Sequence, residues 1–219
     1  MTPLGYLVLF SDPSIVVCDK ASGLLSVPGI GPEKADCLVA RLQREFPGAR
    51  IVHRLDRDTS GVIVLARDAD THRTLSMSFE ARAVDKTYEA LVSGHLAADR
   101  GTVDLPLRKE ALGSARQIVH MTEGKPSRTD YEVLGRGHDA CGRGDEFAWT
   151  RVKLTPFTGR SHQLRVHMLA LGHPILGDDL YAEGAVRSAR ARLCLHARTL
   201  SFTHPKSGAR LTFEAPCPF

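Results

Sequence analysis

Short blocks of alternating hydrophobic and polar residues run along most of the chain and predict many strands with few helices. Apolar positions at 35, 38, 39 and 42 follow a helical period, so a helix is predicted over 34–46, ended by Pro47-Gly48. A second helix is predicted from a cap at Asp70 to about Arg82. Alternation and β-branched residues predict strands over 7–10, 15–18, 51–55, 62–66, 87–96, 128–134, 147–157, 193–202 and 209–214. Because regular βαβ alternation is absent, this order predicts an α+β fold on a mixed or antiparallel sheet.

A third helix is predicted over 161–171, with Ser161 as its N-cap and Gly172 just past its end. Its buried face is predicted to contain Leu164, His167, Met168 and Leu171. Its opposite face is predicted to contain His162, Arg165 and Leu169. Arg160 stands at the N-terminus of this helix, where free backbone N–H groups favour a phosphate. The alternative is an ordinary amphipathic helix with solvated arginines.

The composition is that of a globular protein, since 42% of the 219 residues are hydrophobic and 25% are charged, which excludes disordered and fibrous classes. No uncharged apolar run approaches the roughly 18 residues that span a bilayer, and the segment 1–12 lacks the basic region of a secretory signal. The five cysteines form no C-x-x-C pair, so neither a disulfide framework nor a zinc site is expected. We therefore expect a cytoplasmic protein without a membrane partner.

The net charge of +4 is unevenly distributed along the chain. Residues 1–146 hold 19 basic and 21 acidic groups, whereas residues 147–213 hold ten basic groups and three acidic ones. A local excess of Lys and Arg attracts a polyanion and gains entropy by releasing its counterions. The C-terminal third is therefore a candidate nucleic-acid surface, and a solvated basic face without a partner is the alternative.

Three other kinds of chemistry are not supported by the residue spacing. The segment from Gly135 to Ala140 fits the dinucleotide pattern G-x-G-x-x-A, but no helix is predicted after it, and Gly142 and Gly144 indicate a hairpin loop instead. The histidines at 162, 167 and 173 are five and six residues apart, so they lack the spacing of a zinc helix. Ser60 lacks the G-x-S-x-G elbow of a nucleophilic serine.

The segment from His53 to Gly61 is the strongest candidate for chemistry. Asp56 lies where a predicted strand meets a tight turn, and Arg54, two residues earlier, is expected on the same side of that strand. A carboxylate at this place is either a catalytic group or a turn residue that accepts hydrogen bonds from its own loop. Both interpretations stay open on the residues alone.

Several stretches together resemble the RluA family of RNA pseudouridine synthases, in order and over nearly the whole chain. His53-Arg54-Leu55-Asp56 with Thr59-Ser60-Gly61 resembles the nucleophile motif of that family. Lys86-Thr87-Tyr88 resembles its tyrosine strand, and Gly159-Arg160-Ser161-His162-Gln163-Leu164-Arg165 resembles its arginine motif. The stretches Gly23–Gly29 and His173–Asp178 also fit the family.

The resemblance implies one catalytic domain over 1–219, with two lobes flanking a central cleft and no room for the S4 RNA-binding domain of longer relatives. It implies isomerisation of uridine to pseudouridine in structured RNA, without a metal or a cofactor. Asp56 is then the catalytic carboxylate, Arg165 pairs with it and keeps it ionised, and Tyr88 stacks on the uracil. The RNA-binding residues implied are Arg54, Arg160 and His162.

The closest resemblance is to short family members, which implies a monomer acting on 23S rRNA and a tRNA anticodon stem-loop. A family member specific for a different tRNA or rRNA site is one alternative. A non-catalytic protein that binds or folds RNA on the same fold is another. Whether Asp56 attacks C1′, attacks C6 or removes a 2′ proton stays open in the sequence.

Overall fold

The computed structural model describes residues 5–141 and 145–219. In this part of the chain the strands are β1 (Tyr6–Ser11), β2 (Ile15–Lys20), β3 (Arg50–Ile51), β4 (Ser60–Ala66), β5 (Asp85–Ser93), β6 (Arg100–Asp104), β7 (Leu107–Lys109), β8 (Gln117–Val119), β9 (Arg128–Cys141), β10 (Asp145–Pro156), β11 (Leu195–Thr203) and β12 (Arg210–Glu214). The α-helices are α1 (Leu38–Glu45), α2 (Ala69–Glu80), α3 (Gln163–Ala170) and α4 (Gly184–Ser188), and a 3₁₀ turn spans Pro32–Lys34. The predicted α+β class is confirmed.

The chain divides into two compact units. The first unit contains the residues up to Lys86 together with His196–Pro218, and the second contains Thr87–Leu195 together with Phe219. None of the helices in the described ranges has the length and apolar character needed to cross a membrane.

The first unit is built on a mixed sheet around β4. Strand β2 is antiparallel to β4 and β11 is parallel to it, while β1 and β12 extend the sheet beside β2 and β11. All seven residues of β4 are buried, which matches the continuous apolar run in its sequence. Side chains from strands β2, β4 and β11 and from helix α2 form its core, among them Ile15, Val64, Leu75, Leu200 and Phe202.

The second unit is built on an antiparallel sheet. Strand β10 pairs with β5 on one side and with β9 on the other, and β6 lies beside β9. Helix α3 packs on the core of this unit through Leu164 and Met168, which join Val92, Val152 and Ile175. Strands β7 and β8 form a separate two-stranded sheet.

The helix boundaries predicted from the sequence need two corrections in the first unit. The helix predicted over 34–46 is divided, since a 3₁₀ turn ends at Lys34 and α1 begins only at Leu38. Helix α2 is capped by Asp68 rather than by Asp70, because the Asp68 carboxylate accepts a hydrogen bond from the Thr71 N–H at 2.8 Å.

The predicted strand over 51–55 is also too long. Strand β3 ends at Ile51, and residues 52–59 form a loop before β4. The expectation that Arg54 and Asp56 share one side of a strand is therefore wrong. Since the loop lacks regular pairing, its conformation depends on contacts from other segments.

The N-terminus of α3 differs from the expected cap. His162 precedes the first helical residue with a left-handed φ of 53°, and its side chain makes no capping bond, so the Ser161 cap is wrong. Gly172 does follow the helix with a φ of 81°, as predicted. Arg165 is buried rather than on a solvated face, because α3 is covered on all sides from Gln163 to Met168.

The candidate dinucleotide segment is part of a strand. Gly135, Arg136 and Gly137 lie in β9 and pair with β10, so they cannot form a loop around a phosphate. The loop expected at Gly142 and Gly144 lies outside the described residues.

Candidate active site

Asp56 is half-buried in the 52–59 loop of the first unit, and a buried lysine holds the backbone beside it. Lys20, the last residue of β2, is fully buried. Its Nζ donates to the carbonyl oxygens of Ala21 (2.9 Å), Leu24 (2.7 Å) and Arg57 (3.0 Å). An ammonium has three protons, so each one has a carbonyl acceptor. Because a buried cation without such partners is costly, this arrangement fixes the carbonyl that follows Asp56.

Two serines hold the loop on either side of Asp56. Buried Ser26 donates its hydroxyl to the Leu55 carbonyl at 2.7 Å and accepts the Leu55 N–H at 3.1 Å. Ser22 donates its hydroxyl to the Asp58 carbonyl at 2.7 Å. The backbone is thus tied to the 20–26 segment before and after Asp56, which gives the carboxylate a fixed base.

The end of the loop is anchored to β11 by a histidine. The Nε2 of buried His196 donates to the Ala215 carbonyl at 3.1 Å, so its Nδ1 accepts the Ser60 hydroxyl at 2.8 Å. Gly61 has a φ of 114°, and a Cβ at that position would lie 2.2 Å from the Ala197 carbonyl oxygen. Only glycine fits there, so the Thr59-Ser60-Gly61 part of the motif serves the close approach of two strands.

His53 is neutral and serves as a packing residue. Burial and the nearby charge of Lys86 lower the pKa of His53 to about 3. Its ring stacks on Phe79 with centroids 4.4 Å apart, and its Nε2 accepts the Val64 N–H at 3.2 Å. The proton therefore resides on Nδ1, and His53 carries no charge at neutral pH.

The charged neighbours of Asp56 in sequence differ in their surroundings. Arg54 is exposed, as a residue that contacts RNA must be. Arg57 and Asp58 form an ion pair with each other, with Nη2 and Oδ2 2.8 Å apart. The carboxylate of Asp58 is thus engaged by its neighbour in the sequence.

Tyr88 lies on β5 of the second unit, opposite Leu154 of β10. It is half-buried and packs against the core cluster that contains Ala90, Val92 and Leu154. The register of β5 with β10 fixes the backbone that carries the ring.

Arg165 is held by a bidentate ion pair in the second unit. Its Nε and Nη2 donate to the two Asp178 oxygens at 2.7 and 2.5 Å, and Nη2 also donates to Asp179 at 3.1 Å. The guanidinium lies over the Tyr181 ring, 5.0 Å from its centroid. Because Arg165 is 2% exposed and its fork is fixed, its orientation is set by Asp178.

The loop before α3 is organised by buried Gln163. Its Oε1 accepts the Thr158 hydroxyl at 2.7 Å and the Arg160 N–H at 3.1 Å, and its Nε2 donates to the Arg128 carbonyl at 3.0 Å. Arg160 is exposed, and its Nε donates to the Pro126 carbonyl at 3.2 Å. Its guanidinium is therefore positioned at the surface by backbone and amide groups.

The three histidines of the rejected metal pattern are all engaged by protein groups. His162 is half-buried with its Nδ1 2.7 Å from the Tyr181 hydroxyl, and His173 Nδ1 donates to the Ser93 carbonyl at 2.7 Å. His167 donates from Nε2 to the Leu105 carbonyl at 3.1 Å, and burial lowers its pKa. Within residues 5–141 and 145–219, no group of three or more His, Cys, Asp and Glu side chains is placed to hold a metal ion.

Comparison with known proteins identifies relatives that are all named as RNA pseudouridine synthases. A family model described as RNA pseudouridylate synthase matches residues 14–170. The chain is 48% identical over 213 residues to the dual-specificity RNA pseudouridine synthase RluA of Yersinia pestis, which covers 97% of this chain and 100% of the relative. The corresponding enzyme of Escherichia coli K12 is 47% identical over 97% of this chain and 94% of its own length.

Solved structures of related proteins have the same fold. Human RNA pseudouridylate synthase domain containing 1 superposes with a TM-score of 0.81 at 33% identity, covering 100% of this chain and 87% of the human chain. Human RNA pseudouridylate synthase domain containing 4 gives 0.73 at 25% identity, covering 96% and 88%.

Proposed function

The chain belongs to the RNA pseudouridylate synthase family, and from this premise we propose that Asp56, Tyr88 and Arg165 carry out the isomerisation of uridine. The family and the enzyme class expected from the motifs are both confirmed. The observation that carries the assignment of residues is the fixation of the Asp56 loop by Lys20 and Ser26. Burying the charge of Lys20 costs free energy, which a turn that is only solvated would not require.

The reaction breaks the C1′–N1 bond, turns the uracil and joins C5 to C1′, while C5 loses a proton and N1 gains one. Asp56 supplies a carboxylate to the sugar or the base. Arg165 pairs with Asp56 in this proposal and places a positive charge beside the carboxylate. The bidentate hold of Asp178 on Arg165 supports this role, because it fixes the orientation of the guanidinium.

Tyr88 stacks on the extruded uracil, and its hydroxyl assists removal of the C5 proton. Exposed Arg54 occupies the vacated stack or binds a phosphate while the base is flipped out. Arg160 and His162 contribute to RNA binding, Arg160 through a phosphate. The hydrogen bond between His162 and Tyr181 restricts the imidazole of His162 to contacts through its other edge.

The substrates we propose are 23S rRNA and a tRNA anticodon stem-loop, modified by a cytoplasmic monomer in which 1–219 is one catalytic domain. The similar proteins of Yersinia pestis and Escherichia coli are dual-specificity enzymes by name, and identity near 48% extends over 97% of this chain. Pseudouridine mapping in cellular RNA from a deletion strain tests the substrates. Loss of one site in each RNA is expected, and loss confined to one RNA contradicts the dual target while leaving the enzyme class intact.

RNA affinity is expected to depend strongly on salt and to be carried by the basic C-terminal third. Arg160→Ala should raise the dissociation constant of a stem-loop RNA and flatten the salt dependence by about one phosphate contact, a log–log slope of roughly 0.7 to 0.9. Titrations at several salt concentrations measure both. Arg100→Ala on β6 is the control, because this arginine is exposed and paired with Glu132. An unchanged slope for Arg160→Ala removes this residue from the phosphate contacts.

Turnover is expected to be indifferent to chelators and to added nucleotide cofactors. Single-turnover rates measured with and without EDTA test this expectation. A loss of rate in EDTA that one particular metal restores would contradict it.

A further inference from the structure

An exposed aromatic ring lies beside the Arg160 loop and is covered on one side by an arginine. Phe157 follows directly after β10 and is 46% exposed. The Arg128 guanidinium lies over its ring, with Cζ 4.6 Å from the centroid. The Phe157 N–H donates to the Arg128 carbonyl at 3.0 Å, so the two residues are neighbours in backbone as well as in side chain.

Strand geometry directs both side chains outward. Pro156 and Thr129 form the last pair between β10 and β9, and both are buried. Phe157 and Arg128 are the next residues along each strand, so their side chains point to the opposite face. The pair thus forms an exposed surface of a cation and a ring, which we call the Arg128–Phe157 platform.

The side-chain amide of buried Gln163 links the backbone of the platform to the backbone of Arg160. Gln163 donates to the Arg128 carbonyl and accepts the Arg160 N–H, so both arginines are positioned from one side chain. Arg128 has an exposed carboxylate neighbour, Asp130, at 3.4 Å, which contributes little to its energy. The backbone of Arg128 and the backbone of Arg160 are therefore held by one buried amide, so the platform and the Arg160 loop belong to the same surface region.

We propose that the Arg128–Phe157 platform receives an unpaired nucleobase of the RNA substrate, while Arg160 contacts the backbone phosphate beside it. Aromatic rings and guanidinium planes are the surfaces on which proteins stack single-stranded bases, and such stacking does not require a particular base. A base in a loop offers a free face, whereas a base inside a duplex does not. This inference rests on the proposed function, since it requires that the chain bind RNA.

The test compares Phe157 variants in titrations with a stem-loop RNA and with a duplex of equal length. Phe157→Ala is expected to raise the stem-loop dissociation constant about tenfold without changing the salt slope, because stacking releases no counterions. Phe157→Leu keeps an apolar side chain but has no ring, so it should bind as weakly as Phe157→Ala. Phe157→Tyr should bind like the wild type, and none of these changes should affect duplex affinity.

Leu134→Ala is the matched control, because Leu134 is an apolar side chain on β9 with a similar exposure of 49%. It should leave both affinities unchanged. Wild-type affinity of Phe157→Leu for the stem-loop, or an equal loss for stem-loop and duplex, overturns the platform. The proposed function is tested separately, by pseudouridine formation with the wild-type chain. Absence of product would refute the function itself, whereas the affinities of the Phe157 variants test the platform.

Discussion

Asp56→Asn is expected to abolish pseudouridine formation, by roughly four orders of magnitude or more in single-turnover rate, while the protein folds and binds RNA almost normally. The substitution keeps the size of the side chain but removes the carboxylate. Folding should survive because the hydrogen bonds that fix the loop come from the main chain of Leu55, Arg57 and Asp58. Thermal unfolding, RNA titration and quantification of pseudouridine measure the three properties separately.

Asp58→Asn is the matched control for this experiment. It lies two residues away in the same loop, and its carboxylate is paired with exposed Arg57. An exposed ion pair contributes about 1 kcal/mol or less, so stability and rate should change little. Comparable loss of rate in the two variants would move the chemistry away from Asp56.

Arg165→Ala is expected to lower both the catalytic rate and the stability. The guanidinium neutralises Asp178, which is completely buried, so its removal leaves an uncompensated charge inside the second unit. Breaking a buried pair in this way costs about 3–5 kcal/mol. Denaturant unfolding measures the loss in the free energy of unfolding. RNA titrations should show an unchanged salt dependence of the dissociation constant, because Arg165 is not proposed to contact a phosphate.

Arg165→Lys separates charge from geometry. Lysine keeps the positive charge but cannot donate the two parallel hydrogen bonds that Asp178 accepts. We expect this variant to be more stable than Arg165→Ala and still slow in single turnover. If Arg165→Ala flattens the salt slope and retains the rate, Arg165 is an RNA contact rather than a positioning partner of the carboxylate.

The sequence allowed most strands to be placed, because alternation and buried runs reflect burial, which also decides the structure. Strand β4, for example, is buried throughout, and the apolar run over 62–66 predicts it. Strands β6, β7 and β8 were missed, and β9 is longer than predicted. The predicted length of β3 and the predicted N-cap of α3 were wrong. Both depend on contacts with residues far along the chain, which a local pattern does not contain.

The residues that support the candidate site were the part that local patterns did not identify. Lys20 is a charged residue at the end of an apolar strand, and its burial becomes evident only with the carbonyls of Leu24 and Arg57 around it. Ser26 and Asp178 lie in stretches that resemble the family, but the sequence alone assigns them no partner. A polar residue inside an otherwise apolar or glycine-rich motif was the available signal.

The most direct test of the central claim is tritium release from a stem-loop RNA that carries 5-tritiated uridine, with the wild-type chain and Asp56→Asn assayed side by side. Joining C5 to C1′ displaces the tritium, so its release reports the chemical step itself. The wild type is expected to release tritium, and Asp56→Asn is expected to release none at equal RNA occupancy. Release by Asp56→Asn at the wild-type rate would contradict this expectation.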